Sequence, residues 1–242
     1  MQEIRVFADY HTHTVYSHGR GSVRENIEAA INAGLEKIGI ADHGYRHLGF
    51  GVRYENFDKM RNEIEKLKPE YREIDILLGV EANILDIEGR IDVDEHIRGL
   101  VDYVMAGYHF GSMPTHIVRG SINHALNYIK PLNHLSREYN TRALVNAMRR
   151  NDIFIISHPG AKASINLEKV AEAAIETSTA LEINSSHGHL SLEELLRIKD
   201  TGVSFAIGSD AHRPQDVGNF TDALQRVEKA GIAHQQIINS RR

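Results

Sequence analysis

Seven short apolar runs alternate with stretches of helical periodicity along this chain, and six of the seven runs lead directly into a His, Asp or Glu. Residues 4–8, 37–41, 74–80, 103–107, 153–156, 180–183 and 203–207 read as buried strands. They deliver, in turn, His11 and His13, Asp42 with His43, Glu81, His109, His158, Asn184, and Asp210 with His212. Between them the apolar spacing predicts helices over 23–33, 54–67, 95–100, 141–150, 167–176, 191–200 and 222–230. Gly34 stops the first, Pro69 closes the second, and Ser191 with Glu194 forms a candidate capping box. Repeated strand–helix alternation implies a parallel sheet, and in closed β/α barrels the functional residues sit at the C-terminal ends of the strands. Scattered structural histidines have no reason to fall at the same end of successive strands.

The chemistry of those ends is metal chemistry. His11 and His13 are two apart on an extended segment, so their side chains point the same way, with His18 five residues further on. The chain holds 15 His, no Cys and no Trp, which excludes disulfides, thiolate zinc sites and cysteine nucleophiles. Any ion must be held by nitrogen and oxygen. A net charge of −5 argues against a broad nucleic-acid-binding face. No apolar run reaches the length of a membrane span, and the first strand begins almost at the N-terminus, leaving no room for a secretion signal. A cytoplasmic protein is expected. At 242 residues one domain, 1–242, is the default. The stretch 110–136, with Gly111, Pro114, His116, Gly120, His124, Pro131 and His134, lacks a clear period. It reads as an insertion over the active face, partly helical around 123–129.

Four stretches carry a resemblance: Asp9-Tyr10-His11-Thr12-His13, Ile40-Ala41-Asp42-His43-Gly44, Ile156-Ser157-His158-Pro159-Gly160 and Gly208-Ser209-Asp210-Ala211-His212. Together they resemble the PHP (polymerase and histidinol phosphatase) family of metal-dependent phosphoesterases, most like its small stand-alone YcdX-type phosphatases. The resemblance implies a distorted (β/α)7 TIM-like barrel with a trinuclear metal centre. It implies one ion on His11, His13, Glu81 and Asp210, a second on Glu81, His109 and His158, and a third on His18, His43 and His212. Glu81 would bridge the first two, since a carboxylate has two oxygens and an imidazole one free lone pair. Glu81, Asp210 and His212 are the residues expected to be catalytic. Nitrogen and oxygen ligands suit zinc first, with manganese and iron as alternatives.

The implied function is hydrolysis of small phosphate monoesters. Two other readings stay open. An amidohydrolase-like C–N or ester hydrolase also places His-x-His on its first barrel strand, but such barrels usually have eight strands. A catalytically inert metal-binding PHP domain would typically lose ligands, whereas none of the nine is missing here. The expected partner is a small phosphorylated substrate, with no membrane contact; whether the chain forms a homo-oligomer is left open.

Other polar residues carry weaker assignments. Asp42 is either a partner of a ligand or a plain strand-end carboxylate. Asn184 and Ser185 serve either substrate contact or turn chemistry. His187 and His189 read as surface residues, and His47, His96, His124 and His234 as solvated or packed; His116 and His134 receive no role. Arg20, Arg46, Lys162 and Arg213 follow ligand motifs and are candidates for phosphate oxygens, each set against an ordinary surface charge.

Overall fold

The structure is a computed structural model that describes residues 4–109, 111–115, 117–129 and 132–241. His116 and the side chain of His124 lie outside the described residues. Two short strands, β1 (Arg5–Val6) and β9 (Ser240–Arg241), pair antiparallel and bring the chain ends together. The remaining strands are β2 (Ala8–Thr12), β3 (Lys37–Ile40), β4 (Asp75–Asn83), β5 (Tyr103–Gly107), β6 (Ile155–Ile156), β7 (Ala180–Asn184) and β8 (Phe205–Gly208). They neighbour one another in chain order and every pairing is parallel. A parallel bridge between Thr12 and Ala211, with the amide of His13 donating to the Ala211 carbonyl at 2.8 Å, brings β2 beside β8 and nearly closes the barrel.

The helices lie outside: α1 (Val23–Asn32), α2 (Asn56–Leu67), α3 (Glu95–Leu100), α4 (Ile117–Tyr128), α5 (Asn133–Arg150), α6 (Leu167–Thr177), α7 (Leu192–Ile198) and α8 (Thr221–Ala230). Helices α2, α6 and α8 bury a stripe at helical spacing, as α2 does with Phe57, Met60, Ile64 and Leu67. The outward side chains of the strands, among them Ile38, Ile40, Ile76, Leu78 and Ile207, complete that apolar layer. Ser191 and Glu194 form the expected capping box at α7, and Ser22 with Glu25 forms another at α1.

A second, smaller core sits inside the barrel and includes Ala8, Tyr10, Ala41, Tyr103, Met105, Ile155, Ala180 and Ala206. Tyr10 meets Tyr103 and Phe154 edge-on, with ring centroids 5.6 and 5.3 Å apart. Position 39 must be glycine, because a Cβ there would stand 1.9 Å from the Tyr103 hydroxyl. This plug occupies the N-terminal end. The period of two then carries the same inner face from apolar to polar: Met105 to His109, Ala180 to Glu182, Ala206 to Asp210. In β2 a register shift between Asp9 and Thr12 breaks the alternation. Tyr10 therefore joins the plug while the next residue, His11, joins the polar cluster.

Some expectations need correction. The first barrel strand is 8–12 rather than 4–8, since Arg5 and Val6 pair with the distant C-terminal strand, a partner no local pattern announces. The last strand runs 205–208 rather than 203–207. Within 110–136 the helices are longer than the expected 123–129 and 141–150. Their periodicity is masked by polar contacts at the α4–α5 seam. Asn123 donates to Asn140 Oδ1 at 2.8 Å and to the Tyr108 hydroxyl at 3.0 Å, and both asparagines are buried. Among the described residues no helix is long and apolar enough to cross a membrane.

Candidate metal centre

The backbone at the C-terminal end of the barrel is built to present side chains inward. Asp42, fully buried, accepts from the Thr14 amide at 2.8 Å, from the Thr14 hydroxyl at 2.6 Å and from the Ser17 hydroxyl. It thereby folds the loop that carries His18. His158 (φ +26°) and Asp210 (φ +54°) hold left-handed backbone conformations that side-chain-bearing residues rarely adopt. Both lie where the barrel hands the chain to a loop.

Glu81 is the centre of the cluster. Its Oε1 lies 2.9 Å from His109 Nε2, 3.0 Å from His158 Nε2 and 3.4 Å from His11 Nε2, and its Oε2 lies 2.8 Å from His43 Nδ1. The Nε2 atoms of His11 and His13 face each other at 3.2 Å, and Asp210 Oδ1 is 3.2 Å from His13 Nε2 and 3.5 Å from His11 Nε2. A tetrahedral ion with nitrogen and oxygen ligands at about 2.0–2.1 Å holds its donors roughly 3.3 Å apart. The donors of His11, His13 and Asp210, 3.2–3.5 Å apart, have the spacing of one such ion. The Nε2 atoms of His18 and His212 lie 2.6 Å apart, a hydrogen-bonded contact in which one ring donates to the other.

Three groups of donors close enough to share an ion emerge: His11, His13 and Asp210; His43, Glu81 and His109; and His13, His18 and His43. These groups differ from the expected division: the first is without Glu81, the second has His43 in place of His158, and the third has His13 in place of His212. Two ring nitrogens in the cluster, His13 Nδ1 and His18 Nδ1, are buried without a hydrogen-bond partner among the described residues.

The electrostatics follow from crowding. Burial opposes the charge of Glu81, yet His109, His11 and His43 outweigh it and hold the carboxyl well below its usual range. Asp210 behaves likewise, with His11 and His13 overcoming burial. Burial pushes His13 well down, and His18 and His109 down to about 4. For His11, burial is overcome by Glu182, Asp210 and Glu81, which hold it well above the ordinary imidazole value.

All nine expected ligands, His11, His13, His18, His43, Glu81, His109, His158, Asp210 and His212, lie in this one cluster. His47 is buried and stacked on His43, accepting at Nδ1 from the Phe50 amide at 3.1 Å. His187, read as a surface residue, is exposed but stands at the rim, its Nε2 3.2 Å from Asp210 Oδ2. His96 pairs on the surface with Asp58, and His134 is exposed. Asn184 bonds Asp210, Glu182 and the His187 amide, so it braces the site and the following turn together. Arg213 is committed to Asp216 through two bonds of 2.8 and 2.9 Å. Lys162 is exposed at the mouth of a cleft of about 340 Å³ that His18, His43, Phe50, His158 and His187 also line. A second, polar cleft of about 520 Å³ shares Ser186, Asp210 and His212 with it and includes Ser185, Ser209 and Asn219.

Two supporting residues escaped the sequence. Asn83 Oδ1 lies 2.9 Å from His109 Nδ1, and Glu182 Oε1 lies 2.7 Å from His11 Nδ1. The signal for Glu182 was its place two residues before Asn184, on the inner face of an otherwise apolar strand.

The PHP domain family matches residues 9–186, more than half of the chain. A probable phosphatase from Caldanaerobacter subterraneus is 34% identical over 248 aligned residues, covering 98% of this chain and 89% of that one. The probable phosphatase YcdX of Escherichia fergusonii is 30% identical, covering 96% and 89%. Among solved structures, histidinol phosphate phosphatase from Lactococcus lactis, complexed with zinc, L-histidinol and phosphate, superposes with a TM-score of 0.64 at 18% identity, covering 93% of this chain and 94% of that one.

Proposed function

The chain belongs to the PHP domain family, and from that premise we propose that it is a metal-dependent phosphoesterase that hydrolyses small phosphate monoesters at a centre of three divalent ions. The observation that carries this reading is the cluster of nine His, Glu and Asp residues around Glu81, in which the donors of His11, His13 and Asp210 stand at spacings near those of a tetrahedral ion. His11, His13, Glu81 and Asp210 would hold the first ion, Glu81, His109 and His158 the second, and His18, His43 and His212 the third. Zinc suits this nitrogen and oxygen set, with manganese and iron as alternatives. Bound there, divalent ions would activate water, neutralise phosphate oxygens and offset charge on the leaving oxygen. Both relatives bear the name probable phosphatase, which supports the reaction class.

The chain's own groups prepare the site for that chemistry. Glu81 and Asp210 stay ionised despite burial, so their charge is available to cations without a proton to displace. The neutral imidazoles of His18 and His109 offer lone pairs on the same terms. Lys162, exposed at the mouth, would offer its positive charge to phosphate oxygens. The exposed ring of Phe50, stacked on His18 at 4.4 Å, walls the entrance. A monoester dianion matches the charge of such a centre better than a diester, which carries one charge fewer and more bulk.

Turnover of para-nitrophenyl phosphate beside its bis-ester and a simple carboxylic ester, with added zinc or manganese and a chelator control, tests the proposal. Chelator-sensitive release, fastest from the monoester, is the expected result. Faster cleavage of the diester or the carboxylic ester would overturn it.

A further inference from the structure

We infer that Glu182 is a positioning residue that couples the first two ion sites through one carboxylate, setting the ring tautomer of His11 with one oxygen and the backbone turn of His158 with the other. The inference rests on the phosphoesterase reading above. It concerns the one barrel strand, β7, to which no ligand is assigned.

Glu182 is 1% exposed, and a buried carboxylate persists only where its oxygens are bonded. Oε1 lies 2.7 Å from His11 Nδ1, while Oε2 accepts from the His158 amide at 2.7 Å and from Asn184 Nδ2 at 3.0 Å. A carboxylate can only accept, so Nδ1 of His11 keeps a proton, and Nε2, which faces His13, Glu81 and Asp210, is the nitrogen left to give its lone pair to an ion. The opposite tautomer would point an N–H into the cluster and set a lone pair against the carboxylate. Such carboxylate–histidine contacts orient metal-binding rings, and their removal typically costs 10–100-fold in ion affinity.

The second oxygen acts on the backbone. His158 holds a left-handed conformation at φ +26°, and its amide is the group Glu182 fixes. That turn sets the His158 ring with Nε2 3.0 Å from Glu81 Oε1. The rings of His11 and His158 are 5.9 Å apart and belong to different proposed ions, yet one side chain braces both.

The discriminating variant is Glu182→Gln, which keeps the shape. With its carbonyl oxygen on the His158 amide, its NH2 group faces His11 Nδ1 and favours the wrong tautomer. Zinc affinity, read by chelator competition, should fall about 10–100-fold, with less zinc retained per chain, while the circular dichroism of the metal-free protein stays as in wild type. In the zinc-loaded wild type, 15N-histidine NMR should reveal a downfield, slowly exchanging His11 Nδ1–H, absent from the variant. A purely structural role would leave that proton in place. Glu182→Asp, which keeps the charge but reaches one partner fewer, supplies the same zinc and NMR readings should the Gln variant not fold. Wild-type zinc affinity and an intact Nδ1–H signal in the variant would overturn the inference and leave the phosphoesterase reading standing. A wild-type chain that takes up no zinc would overturn both.

Discussion

A Cβ at position 208 would stand 2.0 Å from Oε1 of Glu182 and 3.3 Å from the Cβ of His11. Gly208 on β8 is thus the space into which the carboxylate leans to reach His11 across the barrel. Both Glu182 oxygens are engaged, so the side chain cannot swing aside without losing a buried bond. Gly208→Ala should lower stability by about 1–3 kcal/mol through overpacking and should reduce bound zinc. Denaturant unfolding with elemental analysis checks this. A variant of wild-type stability with full ion content would mean the carboxylate is not confined as described.

Glu81 meets four imidazoles within 3.4 Å, those of His11, His43, His109 and His158. Its removal withdraws the anion shared by the first two proposed ions, whereas His18 and His43 are proposed for the third, His43 with its Nδ1 also 2.8 Å from Glu81 Oε2. Elemental analysis of protein purified without chelator should give about three divalent ions per chain in wild type, about two in His18→Ala, and about one in Glu81→Ala. Activity of Glu81→Ala should fall at least roughly tenfold below that of His18→Ala or His43→Ala. Near-normal turnover in Glu81→Ala would mean the bridge is wrongly assigned.

The barrel and its ligand-bearing end were legible in the sequence because both depend on local order: short apolar runs, helical periods between them, and His, Asp or Glu at run ends. What escaped depends on contacts between distant segments. The pairing of Arg5 and Val6 with the C-terminal strand is one case, and the asparagine seam that hides the period of α4 is another. At the site, Glu182 was passed over because it lies mid-strand, where alternation alone decides between a buried face and an inner wall. His187 was placed on the surface, and it is exposed; only the fold brings its Nε2 to Asp210. For Asp42 the sequence leaves open a partner of a ligand or a plain strand-end carboxylate, and its bonds to Thr14 and Ser17 make it the anchor of the His18 loop.

The depressed imidazoles define a pH window. For His18, burial comes first and the neighbouring His43 and His212 add to it; for His109, burial outweighs the attraction of Glu81, and both sit at about 4 in the folded chain. Unfolded, each takes a proton near 6.5. Between those values the unfolded state binds more protons, so these two residues leave stability intact above pH 6.5 and erode it as pH falls toward 4. His11, held high, acts in the opposite direction on the alkaline side of 6.5. Site-resolved 15N-histidine NMR of the metal-free protein should keep His18 and His109 neutral through pH 5. Midpoints near 6.5 for both would refute the described environment.

The plug at the other end of the barrel should govern stability and leave the chemistry alone. Tyr103 is buried, its hydroxyl donates to the Tyr10 carbonyl at 2.5 Å, and its ring packs against Tyr10 and Phe154. Tyr103→Phe keeps the ring and removes the donor, leaving a buried carbonyl short of one partner, a loss of about 1–3 kcal/mol. For a chain of this size that corresponds to a Tm lower by roughly 2–4 °C per kcal/mol. In barrels of this type the N-terminal face serves stability and the C-terminal face function. Ion content should therefore stay at the wild-type level and kcat within about twofold. Thermal unfolding in chelator, beside zinc content and turnover, separates the two ends. A Tyr103→Phe protein that loses ions in step with its Tm would mean the plug and the ligand cluster form one cooperative unit.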